Sequence, residues 1–100
     1  MDFLLFYDYA PDYLERRGAF RNDHLKLAWD WQSRGKLVLA GALANPADGA
    51  VFHFRADSAA EVESFVRADP YVRNGIATSW RVREWTTVVG AQAASPVHPS

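Results

Sequence analysis

At 100 residues, 49% hydrophobic and 23% charged, the chain is sized for one globular domain and too short for a second. Eleven Lys and Arg stand against twelve Asp and Glu without long runs of either sign, which removes the electrostatic footprint that binding to nucleic acid requires. No cysteine is present, so disulfides, thiolate catalysis and cysteine-based zinc sites are excluded together.

The opening segment lacks the basic region and length of a signal peptide, and no apolar run approaches a membrane span. A cytoplasmic location without membrane contact is therefore expected. FLLFYDY, from Phe3 to Tyr9, reads as a strand partly covered on both faces and ended by Pro11. Pro11 opens a helix that runs to Gly35, with Asp12 and Glu15 spaced as a capping box and Gly18 as a weak point in its middle. KLVLAGAL (Lys36 to Leu43) and AVFHFRA (Ala50 to Ala56) flank the turn-forming residues Asn45 to Gly49, which predicts a hairpin. Ser58 and Glu61 form a second capping box, opening a helix that Pro70 stops at Asp69. TSWRVREWTTVV, Thr78 to Val89, reads as the last strand, with Trp80 and Trp85 on opposite faces as packing or dimer contacts.

This order is βαββαβ. It predicts an α+β, ferredoxin-like fold with an antiparallel sheet and both helices on one face, occupying residues 1–89. Residues 90–100 are small, polar and proline-containing and read as a disordered C-terminal tail. Four Trp, four Tyr and six Phe exceed what one small core hides, and a homodimer through the open sheet face is expected.

Two polar residues interrupt apolar helical stripes. On the first helix Tyr13, Phe20, Leu27 and Trp31 share a face with His24 at its centre. On the second, Val62, Phe65 and Val66 lead on to Asp69. A carboxylate in the last turn of a helix opposes the macrodipole, and turning it inward adds a desolvation cost, so Asp69 needs a cation or several donors. If the two residues meet between helix and sheet, Asp69 fixes the ring tautomer of His24 and leaves its far nitrogen as a general base or acid. The plainer reading has a core histidine bonded to a carbonyl and an aspartate that caps the turn at Pro70. Both readings stand at this point.

The opening strand, ERRGAFRNDHL, GKLVLAGAL, FVRADPYVRNG and the W-x-V-x-x-W of the last strand together resemble the YciI-like (YCII-related) family over nearly the whole chain to Val89. The resemblance is most specific at Arg21, His24 and Leu25, at Gly41, and at Asp69 to Tyr71. It implies a dimeric α/β barrel, and it implies that His24 and Asp69 are the catalytic dyad.

With no nucleophile elbow, phosphate loop or histidine pair at metal spacing, the chemistry left is proton transfer beside a carbonyl. That leads to isomerisation or to elimination of a leaving group, with no cofactor and no metal. The resemblance implies the finer expectation, dehydrohalogenation or a related reaction on a small carbonyl acid or lactone. Arg21, and one turn further back Arg17, can hold a substrate carboxylate or developing enolate oxygen, and Tyr7 and Tyr71 can wall a substrate pocket. The plainer reading is a solvated helix flank, which fits Arg17 better than Arg21, and core-edge positions for Tyr7 and Tyr71. The competing function is a non-catalytic, homodimeric ligand-binding or accessory domain, and a cofactor-free oxygenase ranks last because it rests on fold analogy alone.

Overall fold

In the computed structural model, which describes residues 1–100, Asp2–Tyr9 forms strand β1. It alternates Phe3, Leu5 and Tyr7 into the core with Leu4, Phe6 and Asp8 on the opposite face. Strands β2 (Leu37–Ala42), β3 (Gly49–Arg55) and β4 (Ala77–Glu84) complete one antiparallel sheet in the order β2-β3-β1-β4. The register sets Phe54 opposite Phe3 and Phe52 opposite Leu5, so aromatic and aliphatic side chains stack on the same side. Helices α2 (Arg21–Ser33) and α3 (Ala59–Ala68) cover that side. Trp31 meets Phe54 and Phe65 edge-on at 5.8 and 5.5 Å, while Val62, Phe65 and Val66 are fully buried. The architecture is the expected α+β, ferredoxin-like one.

Two elements differ from expectation. The first helix is not continuous from Pro11. A short helix α1 (Tyr13–Arg16) leads into a 3-10 turn over Arg17–Ala19 that contains Gly18, and Phe20, at φ −123°, leaves helical geometry before α2 begins. Glycine lowers the cost of that break. Asp12 makes no capping hydrogen bond and instead lies 3.6 Å from the Arg16 guanidinium. Gly35, at φ +74°, closes α2 as the turn after its C-terminus requires. The last strand stops at Glu84 rather than Val89. Glu84 faces Phe3 at the start of β1, so the strand runs out of partner.

Beyond Glu84 the chain turns back on itself, with Ser95 N–H donating to the Thr87 carbonyl at 3.1 Å and Val97 N–H to that of Val88 at 2.8 Å. Trp80 and Trp85 fall on opposite faces as parity demands: Trp80 pairs with Tyr7 on the helix side, and Trp85 packs edge-on against His53 on the open side.

On that open face, the buried Asp2 side chain accepts from His53 Nε2 at 2.6 Å and Arg55 Nε at 3.2 Å, and Arg55 Nη2 reaches the Gln92 carbonyl at 3.1 Å. Burial pushes the Asp2 carboxyl up, but hydrogen bonds from His53 and Arg55 and their charges outweigh it and hold the group below the ordinary value of 3.8. Asp2 therefore holds its proton less tightly in the folded than in the unfolded chain. Its stabilisation is complete above pH about 4 and is lost as the pH falls through the lower, folded value. Urea unfolding from about pH 2 to 6 is expected to show a shallower acid decline in Asp2→Asn than in the parent, with lower stability of the variant at neutral pH. Parallel curves would remove Asp2 from the account.

Candidate active site

Ser58 caps α3 as its motif predicts, the hydroxyl accepting from the Glu61 N–H at 3.3 Å. The buried stripe of α3 then delivers Asp69 into the interior, at 0% exposure. Pro70 disfavours helical geometry in the residue before it, and Asp69 adopts φ −75°, ψ 120°. It thus ends α3 and at the same time caps α4 (Pro70–Arg73), with Oδ1 accepting from the Tyr71 N–H at 3.0 Å. The carboxylate that the dipole of α3 would repel is received by a donor at the start of α4. The capping reading of Asp69 is correct, and it does not exclude the other.

His24, one turn into α2, places Nδ1 2.8 Å from Asp69 Oδ1, and the Tyr7 hydroxyl donates to Oδ2 at 2.6 Å. The Tyr71 N–H donates to Oδ1 and the Tyr7 hydroxyl to Oδ2, so both carboxylate oxygens act as acceptors. Facing an acceptor, His24 Nδ1 carries a proton, and in the neutral imidazole the lone pair then lies on Nε2. The 2.6 Å contact lies in the range of charge-assisted O–H···O⁻ bonds. The imidazole is held flat against Tyr71, ring centres 3.9 Å apart and 4° from parallel, and edge-on to Phe52 at 6.3 Å. Nε2 has no partner in the chain, yet no buried side-chain polar atom is left unpartnered, so Nε2 is open to the cleft.

That cleft, about 430 Å³ between α2 and the edge strand β2, suits a small ligand. Thirteen of its 17 lining residues are hydrophobic, which leaves few polar groups to orient whatever enters. His24, Arg21 and Tyr71 line it as expected. Tyr7 does not: it stands behind Asp69 at 2% exposure, with its hydroxyl committed to the carboxylate. Burial first, and the Asp69 charge second, push its pKa far up, so Tyr7 remains a hydrogen-bond donor instead of a pocket wall. Strand parity gives the face on which Tyr7 lies but not how deep it sits.

Arg21 makes no hydrogen bond or ion pair within the chain, and its charge, with that of Arg17, opposes the rise that burial and Tyr13 impose on the Tyr71 hydroxyl. Arg17, expected as a solvated flank, donates to the Tyr13 hydroxyl at 3.3 Å. Tyr9 and Tyr13 also line the cleft and were not anticipated there. Tyr9 shares the parity of Tyr7 on β1, and that was the signal available. His24 and His53 occupy opposite faces of the sheet, and no three His, Asp or Glu side chains come together as a metal site would need. No helix is long and apolar enough to cross a membrane.

A model of the YCII-related domain matches residues 1–86. Among solved structures, 5-chloro-2-hydroxyhydroquinone dehydrochlorinase (TftG) from Burkholderia phenoliruptrix AC1100, in complex with 2,5-dihydroxybenzoquinone, is similar at a TM-score of 0.75 and 24% identity. The match covers 87% of this chain and 95% of that one, and at this identity it speaks for the fold. No curated protein matches the chain.

Proposed function

Because the chain belongs to the YCII-related family, we propose that it is an enzyme that transfers protons with a His24–Asp69 dyad, without a cofactor. The observation carrying this reading is the asymmetry of one ring: Nδ1 is anchored to a fully buried carboxylate, and Nε2 faces an apolar cleft. An aspartate in that position orients the imidazole and balances the charge it gains on taking a proton. Asp69 is in turn held by Tyr7 and by the backbone of α4, so the base is pre-aligned before any ligand arrives.

The reaction class is isomerisation or elimination on a small ring or acid bearing a carbonyl or an enolisable hydroxyl. Nε2 removes a proton next to the carbonyl, and the electrons of that bond form the new double bond. A leaving group such as chloride departs with its own electron pair, and the net loss is HX. No oxidant or reductant enters. The likeness to a dehydrochlorinase favours elimination. Arg21, unpaired at the cleft, is the group proposed to receive the developing oxyanion, and Tyr71 the ring against which a planar ligand packs.

The working unit is proposed to be a homodimer, since Leu4, Phe6 and Val51 are only half-buried on the open sheet face and Leu39 is exposed there. Chloride release from chlorinated hydroxyhydroquinones, assayed on protein whose mass is read by sedimentation equilibrium, tests the whole reading. Turnover by a dimer is expected, falling about 10²–10⁴-fold in His24→Asn. Tight binding without release, unchanged in His24→Asn, would mark a non-catalytic ligand-binding domain instead.

A further inference from the structure

We infer that Tyr9, Tyr13 and Arg17 form a second polar pole of the cleft, one that binds an ionised ring oxygen, such as that of a phenolate or enolate. The inference rests on the cleft proposed above as the active site and adds the group that distinguishes charged from neutral ligands there.

Four tyrosines lie at or beyond the His24–Asp69 pair, and they are not equivalent. Tyr7 gives its proton to Asp69. Tyr71 lies flat on the imidazole and meets Tyr9 and Tyr13 in near-perpendicular contacts at 6.2 Å. Tyr9 and Tyr13 stack on each other with centres 3.8 Å apart and planes 7° from parallel, and their hydroxyls are within hydrogen-bonding reach of each other. The register of β1 against β4 slips between Asp8 and Tyr9, and irregularities of this kind beside sites re-aim a side chain.

Arg17 gives the pair its direction. Its Nη1 donates to the Tyr13 oxygen at 3.3 Å, and the guanidinium carbon lies 5.5 Å from the Tyr13 ring centre. A guanidinium has donors only, so the Tyr13 oxygen must accept, and the Tyr13 proton is directed away from Arg17, toward the Tyr9 hydroxyl. No carboxylate or carbonyl of the chain accepts from Tyr9 or Tyr13. Burial, then the neighbouring Tyr13, push the Tyr9 hydroxyl well above its ordinary range, so it keeps its proton at every working pH. The Tyr13 proton is met by the neighbouring Tyr9 hydroxyl, so the chain offers the cleft one phenolic donor, that of Tyr9, backed through Tyr13 by a cation and lacking an acceptor of its own. A ligand oxygen carrying negative charge supplies that acceptor, and a neutral ring of the same shape does not.

Full-length protein titrated with 4-nitrophenol and with nitrobenzene, its uncharged near-isostere, tests the assignment. Calorimetry reads affinity, and the yellow band of the phenolate reads the bound ionisation state. The parent is expected to bind 4-nitrophenol as the phenolate and to prefer it to nitrobenzene. Tyr9→Phe should lose about 10- to 100-fold for the phenolate and little for nitrobenzene. Arg17, which acts through Tyr13, should show a smaller loss in Arg17→Leu that Arg17→Lys restores. The inference is overturned if Tyr9→Phe weakens both probes equally, if the phenolate is not bound, or if only Arg21→Gln loses the preference. Phenolate selectivity without any turnover in the chloride assay would leave this pole standing and remove the proton-transfer reading.

Discussion

Asp69→Asn is expected to lower turnover by about 10²–10⁴-fold while leaving the chain folded, and Asp69→Ala to destabilise it by about 3–5 kcal/mol. The two variants separate charge from space filling. Asparagine keeps an oxygen for the His24 Nδ1–H and the Tyr71 N–H, and its amide can donate to the Tyr7 oxygen, so the burial at 0% exposure is still satisfied. What it removes is the negative charge that, in the proposed mechanism, steadies an imidazolium during proton transfer. Alanine removes every acceptor at once and strands three donors in the interior, each at about 1–3 kcal/mol when left unpaired. Against a total stability of about 5–15 kcal/mol that loss is large enough to unfold a chain of this size on mild heating. Urea unfolding reads the stability, and ¹⁵N NMR of the ring shows whether Nδ1 still carries the proton. Full turnover in Asp69→Asn would reduce Asp69 to a helix cap and end the dyad reading.

The meeting of His24 and Asp69 was legible because two helical periods each placed one polar residue on an apolar stripe, and because the βαββαβ order sets both helices on one face. The motif at Pro70 pointed to the same residue from a second direction, since a residue before proline that is also a cap has to leave the helix. The third partner was harder to see. Parity places Tyr7 on the right face but does not measure the 2.6 Å that separates its hydroxyl from Asp69. Tyr9 and Tyr13 are less legible for a related reason: they lie on different elements, and no local pattern gives the stacking of one ring on the other. The far end of β4 was misjudged because its length depends on where its partner begins, and β1 begins at Asp2. Local pattern thus reports faces and periods well. Depths, breaks and strand ends depend on the neighbours that a segment finds.

Gly49→Ala is expected to damage both stability and the site, although Gly49 touches neither His24 nor any ligand. It lies on β3 opposite Asp8, and a Cβ built there runs into the backbone carbonyl oxygen of Tyr7, with Leu43 Cδ1 a further 3.5 Å contact. A flexible side chain could swing aside, but a strand carbonyl can move only by shifting β1. The Ala50–Tyr7 pairing follows Gly49 directly, so the shift falls on the residue whose hydroxyl holds Asp69. Overpacking of this kind costs about 1–3 kcal/mol, and contact with backbone places Gly49→Ala at the upper end. Displacing the support of a catalytic base by even about 1 Å can cost about 10²-fold in rate, so turnover should fall further than stability alone explains. Gly18→Ala is the control: nothing lies within 4 Å of a Cβ there, and the change should be neutral or stabilising by up to about 1 kcal/mol. Thermal melts of the two variants beside the parent, with the His24 ring followed by NMR, decide the matter. Equal melting of Gly49→Ala and Gly18→Ala, with an unmoved imidazole, would mean that β1 yields freely at Tyr7 and that Tyr7 does not hold Asp69 in place.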